Sequence, residues 1–159
     1  MSVQSVLFVC TGNICRSPLA EGIFLHLARE RGEAGLYIAD SAGTGGWHQG
    51  SLPDSRSIRV AARHGIDITD QRARKIVERD FERFDLILGL DRGHVLKLKA
   101  RAPSAFENRV HLFSRFATGR DFDVPDPYYG GPDGFDDVYN MLFSGCGLLL
   151  DRLRASRGS

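Results

Sequence analysis

Apolar positions in this 159-residue chain follow two rhythms, one of strands and one of helices. Val6-Leu7-Phe8-Val9 is a short continuous apolar run, the pattern of a strand buried on both faces of a parallel sheet. Leu19, Ala20, Ile23, Phe24, Leu27 and Ala28 then recur at helical spacing. A helix is expected there, capped by Ser17, with Pro18 in its first position, running to about Arg31, and Gly32 beyond its end. "LYIADSAG" (36–43) predicts a second strand and "FDLILGLD" (84–91) a third. Between them "DSRSIRVAARHGI" places Ile58, Ala61 and Ala62 at helical intervals and stops at Gly65. "RVHLFSRF" (109–116) predicts a weaker fourth strand. A long helix is expected from near Phe135 to about Leu153, with Val138, Tyr139, Leu142, Cys146, Leu149 and Leu150 on its apolar face.

Strands alternating with helices imply βαβ units, right-handed crossovers and an α/β fold with four parallel strands flanked by helices. Ligands in such sheets bind beyond the carboxyl ends of the strands, which directs attention to the loop after Val9. The length suits one domain over 1–159, with the polar "RASRGS" (154–159) as a frayed tail. The loop "GTGGWHQGSLP" (43–53), rich in glycine and holding the only tryptophan, suits a mobile wall beside a pocket.

Composition narrows the function. Lys and Arg total 21 against 20 Asp and Glu, a formal charge of +1, which argues against a protein that coats nucleic acid or anionic lipid. Any anion site must be local. "MSVQSVLFVC" lacks a basic leader region, its apolar run is too short for a signal peptide, and no stretch approaches a membrane span, so a cytoplasmic location is expected. Cys10, Cys15 and Cys146 are an odd set in a chain that needs no disulfide framework, which fits free thiols in a reducing compartment. Cys10 and Cys15 form a C-x4-C pair without a second pair to complete a tetrahedral metal site. Cys146 on the apolar helix stripe reads as core.

If "CTGNICRS" (10–17) joins a strand's end to a helix's start, its backbone N–H groups, the helix dipole and the Arg16 guanidinium face one point. That is a cradle for a dianionic phosphate. Gly12 permits backbone conformations that a Cβ resists, Asn13 tolerates left-handed geometry and braces the loop, and Arg16 grips phosphate oxygens with two prongs. The same field favours a thiolate at Cys10, and the Ser17 hydroxyl is placed to donate to its sulfur. The expected reaction is phosphoryl transfer through a cysteinyl-phosphate.

"CTGNICRS" matches the C-x5-R-[ST] signature of cysteine-dependent tyrosine phosphatases, and its place about ten residues from the N-terminus resembles the low-molecular-weight family. "DPYYGG" (126–131) resembles that family's general-acid loop, and "DSAGT" (40–44) and "DFERFDLIL" (80–88) also match. The resemblance implies a three-layer α/β/α, flavodoxin-like domain with strand order 2-1-3-4 and the phosphate loop after strand 1. It implies Cys10 as nucleophile, Arg16 as the group that binds phosphate and stabilises its transition state, and Asp126 as acid and then base. Thr11, Gly12, Asn13, Ile14, Cys15 and Ser17 would surround the phosphate, with Trp47 and Tyr128 walling the cleft. Asn13 and Ser41 would support the loop by hydrogen bonds. Gln71 stands where many relatives have His, and "LGLD" (88–91) replaces the more usual Ala-Met-Asp.

Cys15 would form a reversible disulfide with Cys10, and the pair Tyr128 and Tyr129 would be open to phosphorylation. His48, beside Trp47, is a candidate substrate contact, whereas His26, His64, His94 and His111 read as solvated or packed. No metal or cofactor is implied. The substrate would be a phosphotyrosine-containing protein, with inorganic phosphate as product and inhibitor, no nucleic-acid or membrane partner, and a monomer or weak dimer. Within the fold the alternatives are an arsenate reductase, which needs further cysteines in the 70–100 region where this chain has none, and a phosphoarginine phosphatase, whose loop carries Thr where Ile14 stands. A noncatalytic phosphate-binding module would need no nucleophile.

Overall fold

The computed structural model describes residues 3–131 and 133–157. Strand β1 (Gln4–Cys10) leads into α1 (Arg16–Glu30), β2 (Tyr37–Gly43) and α2 (Ser55–Arg63). Helix α3 (Glu78–Arg83), β3 (Leu86–Gly89), α4 (Arg92–Arg101), β4 (Val110–Leu112), α5 (Phe113–Thr118) and α6 (Asp133–Arg157) follow. The four strands form one sheet in the order β2-β1-β3-β4, and every pairing is parallel. The expected α/β/α class and strand order are therefore observed.

β1 explains the layering. Its residues alternate, with Val6 and Phe8 in one apolar cluster beneath α1, α2, α5 and α6, and Leu7 and Val9 in another beneath α3 and α4. All four side chains are fully buried, which is why the strand reads as a continuous apolar run. Pairing on both sides sets its register, Cys10 opposite Gly43 of β2 and Val9 opposite Gly89 of β3, so the strand ends converge around the loop that follows Cys10. Among the described residues no helix is long and apolar enough to cross a membrane.

Three expectations change. The run 109–116 is a strand only through Leu112, and Phe113 begins α5, whose Phe113 and Ala117 turn into the α-side core one helical turn apart. Ser17 does not cap α1, because Cys15 occupies the cap position and the Ser17 hydroxyl turns inward to the loop. Residues 154–157, expected as frayed tail, continue α6: Arg154 pairs with the buried Glu33 and Arg157 donates to the Leu36 carbonyl at 2.6 Å. Gly158 and Ser159 lie outside the described residues.

Candidate active site

Cys10 ends β1 and is 2% exposed, with its sulfur 3.0 Å from Ser17 Oγ. Ser17 in turn accepts a 2.8 Å hydrogen bond from Asn13 Nδ2, so its hydroxyl proton is available to the sulfur at 3.0 Å, the Ala42 carbonyl at 3.5 Å being the longer alternative. Asn13 is the brace. Its Nδ2 also donates to Ser41 Oγ at 2.9 Å and its Oδ1 accepts from the Arg74 backbone N–H at 3.0 Å. The residue sits at φ 58°, the left-handed region that Asn tolerates. Gly12 is needed for a different reason than the sequence suggests, since its φ is not positive. A Cβ there would come within 2.9 Å of the His48 ring, so the glycine lets the 43–53 loop close over the phosphate loop.

These side chains surround a cleft of about 420 Å³. Cys10, Thr11, Gly12, Ile14, Cys15 and Arg16 form its floor, and Trp47, His48, Asp126, Tyr128 and Tyr129 its walls. Of the expected phosphate-surrounding set, Asn13 and Ser17 do not line it; both are buried and brace the loop from behind. Trp47 is 71% exposed, which removes any reading of it as core. Asp126 stands opposite the loop, its Oδ2 3.7 Å from Arg16 Nη2 and its Oδ1 accepting from the Tyr128 N–H at 3.0 Å. Cys15 lines the cleft but is otherwise packed, and burial, followed by the nearby Asp54, pushes its thiol up to about 12.

Arg16 is held in place rather than free to swing. Its Nη1 donates to Asp91 Oδ2 at 2.8 Å and to the Val124 carbonyl at 3.0 Å, leaving Nη2 directed at Thr11 Oγ1 and Asp126. Asp91 also caps α4 by accepting from the His94 N–H. Burial alone would raise the Asp91 carboxyl, but the His94 and Arg16 contacts outweigh it and hold the group below the usual carboxylate range. His94, 3% exposed, accepts at Nδ1 from the Asp91 N–H and meets Thr11 Oγ1 through Nε2 at 2.9 Å. Burial, then the Arg16 charge, lowers its pKa to about 4, so the ring is neutral. With Nδ1 accepting, Nε2 carries the proton and donates to Thr11.

Asp91 and His94 were not among the residues singled out for the site. The available signal was positional: Asp91 follows β3 at the same carboxyl edge from which Cys10 emerges.

Behind the loop lies a second, polar cavity of about 220 Å³ lined by Glu21, Asp40, Ser41, Asp70, Gln71 and Arg72. Gln71 bridges it, with Nε2 donating to the Pro18 carbonyl at 3.1 Å and Oε1 3.5 Å from Ser41 Oγ. Glu21 is half-buried there. Burial raises its pKa to about 7, Asp40 and Asp70 adding to the effect against a hydrogen bond from Ser41 and the Arg74 charge.

Residues 5–158 match the family model described as low molecular weight phosphotyrosine protein phosphatase. The chain belongs to that family. A low molecular weight protein-tyrosine-phosphatase of Streptomyces coelicolor is 46% identical, over 86% of this chain and 85% of its own. YfkJ of Bacillus subtilis, named likewise, is 40% identical over 96% and 97%. A crystal structure of a protein tyrosine phosphatase from Entamoeba histolytica superposes with a TM-score of 0.91 at 35% identity, covering 97% of this chain and 99% of that one. Gln71 presents an uncharged amide to the carboxylates of the rear cavity.

Proposed function

We propose that this low-molecular-weight phosphatase hydrolyses phosphotyrosine in proteins, and small aryl phosphates, through a cysteinyl-phosphate. The Cys10 thiolate attacks phosphorus, the S–P bond forms as the bond to the phenolic oxygen breaks, and Asp126 gives its proton to that oxygen. In the second step Asp126 takes a proton from water, the water oxygen bonds to phosphorus, and the S–P bond breaks to return the thiolate and inorganic phosphate. Arg16 and the loop amides carry the oxyanion charge in both transition states, and Ser17 steadies the thiolate as leaving group. The observation that carries this reading is the convergence of Cys10, Arg16 and Asp126 on one cleft, with an aromatic rim suited to a phenyl ring. The apolar Ile14 on its floor favours an aryl group over a polar guanidino group. Cysteines are absent between Cys15 and Cys146, which leaves arsenate reduction without its relay thiols.

Turnover of an aryl phosphate should vanish in Cys10→Ser while binding of phosphate or vanadate survives; full activity there would remove the mechanism. Asp126→Ala should lose about 100-fold or more on phosphotyrosine and far less on esters of acidic phenols. Equal losses would take the acid role from Asp126. The reading extends to a cytoplasmic enzyme, monomeric or weakly dimeric, whose Cys10 is protected from over-oxidation by a disulfide with Cys15; the shared cleft floor supports that pairing.

A further inference from the structure

The geometry points to Arg56 as the positioning residue of the general-acid loop, an inference that rests on the acid role proposed for Asp126. Arg56 lies in the first turn of α2. Its Nε and Nη2 hold both oxygens of Asp54, at 3.0 and 2.9 Å, and its remaining Nη1 donates to the Tyr128 carbonyl at 3.2 Å. The guanidinium also lies over two rings, 5.1 Å from the Tyr128 centroid and 4.6 Å from that of the buried Phe135 in α6. All three nitrogens are thus committed, two of them anchoring the guanidinium on Asp54 and the third holding a backbone carbonyl of the acid loop two residues beyond Asp126.

The other end of the tether is the phosphate loop. Asp54 donates its backbone N–H to the Ile14 carbonyl at 2.8 Å, and Ser57, one residue beyond Arg56, donates its hydroxyl to the Cys15 carbonyl at 3.3 Å. The Asp54 carboxylate cannot drift, because it also caps α2 through the Arg56 N–H at 2.9 Å. A closed chain of contacts therefore runs from the loop holding Cys10, through Asp54 and Arg56, to Tyr128, whose N–H fixes the Asp126 carboxylate. Asp126 itself is 41% exposed, and its carboxylate is faced by the Tyr128 N–H and, at 3.7 Å, by the Arg16 guanidinium. Its distance from the leaving oxygen is set by this chain, and proton transfer is sensitive to that distance.

The test uses kcat/KM on a series of aryl phosphates whose phenols range from strongly acidic to phenol itself, with phosphotyrosine included. Arg56→Gln keeps the stem that covers Phe135 and loses the fork; Arg56→Lys keeps charge and reach but cannot hold Asp54 bidentately and Tyr128 together. Expected for Arg56→Gln is a loss of about 10- to 100-fold on phenyl phosphate, less than about threefold on the most acidic phenol, and an unchanged inhibition constant for vanadate. Arg56→Lys should recover part of the loss. In an Asp126→Ala background, Arg56→Gln should cost less than about twofold, since the group it places is gone.

Equal losses across the series, or a full additional loss in the Asp126→Ala background, would overturn the inference and assign Arg56 a general structural role. The two levels separate cleanly. If Asp126→Ala itself shows no dependence on the leaving phenol, the acid assignment fails. If Asp126→Ala shows that dependence and neither Arg56 variant does, Arg56 alone is misassigned.

Discussion

Replacing Glu21 by Gln tests whether the rear cavity burdens the phosphate loop with a buried charge. The variant keeps the shape and an oxygen that accepts from Ser41, and removes only the titration. In the folded protein burial lifts the Glu21 carboxyl from the ordinary 4.5 to about 7, whereas in the unfolded chain it titrates normally. A raised folded pKa means that the folded state binds the proton more tightly, so the stabilising contribution is full below about 4.5 and is lost as the pH climbs through 7. At about 1.4 kcal/mol per pKa unit the upper bound is about 3 kcal/mol, and solvent reaching this half-buried group reduces it to about 2 kcal/mol.

The assay is urea unfolding of both proteins at pH 5, 6, 7 and 8, comparing their stability difference at each pH. Titration of every other group largely cancels in that difference. From pH 5 to pH 8, which spans about three quarters of that titration, Glu21→Gln should gain about 1.5 kcal/mol on the parent, with most of the change below pH 7. A difference that stays flat within about 0.5 kcal/mol would refute the reasoning and show that Arg72, Arg74 and water neutralise the carboxylate fully.

Asp91→Asn leaves the buried Arg16 guanidinium without its nearer carboxylate, Asp126 standing farther off at 3.7 Å, and should cost about 2–3 kcal/mol in urea unfolding while weakening inhibition by inorganic phosphate; unchanged values for both would deny that Asp91 holds Arg16. Because the Asp91 carboxyl is held low, its contribution is present above the ordinary carboxylate range and disappears as the pH falls through the depressed value, so the parent and Asp91→Asn should converge in acid. Peroxide should inactivate the enzyme reversibly, with thiol treatment restoring most activity in the parent and less in Cys15→Ser. Identical recovery would argue against a Cys10–Cys15 disulfide.

Much of this architecture was readable in the chain because local and global signals agree. The run Val6–Val9 alternates between two cores, yet reads as continuous because both are dry, and "CTGNICRS" places its chemistry at the end of that strand. The misread segments share a cause. In 109–116 the apolar residues serve both a strand and a helix, and only the short β4 edge position and the α5 packing against α6 divide them at Leu112. Ser17 carries the composition of a helix cap, but tertiary contacts with Asn13 and Cys10 claim its hydroxyl.

Asp91, His94 and Arg56 were missed because their meaning for the site lies in contacts 72 or more positions away along the chain, Arg56 to Tyr128 spanning 72, Arg16 to Asp91 spanning 75 and Thr11 to His94 spanning 83. No local periodicity encodes such pairs. The site is therefore read at two levels. The reacting groups are written in compact motifs because a strand end, a loop and a helix start must be contiguous to cradle phosphate. The groups that hold them are scattered, because they come from the starts of α2 and α4, which reach that edge from distant parts of the chain. Variants of the first set, Cys10 and Asp126, should remove a chemical step; variants of the second, Arg56 and Asp91, should leave the step in place and weaken the positioning of the group that performs it.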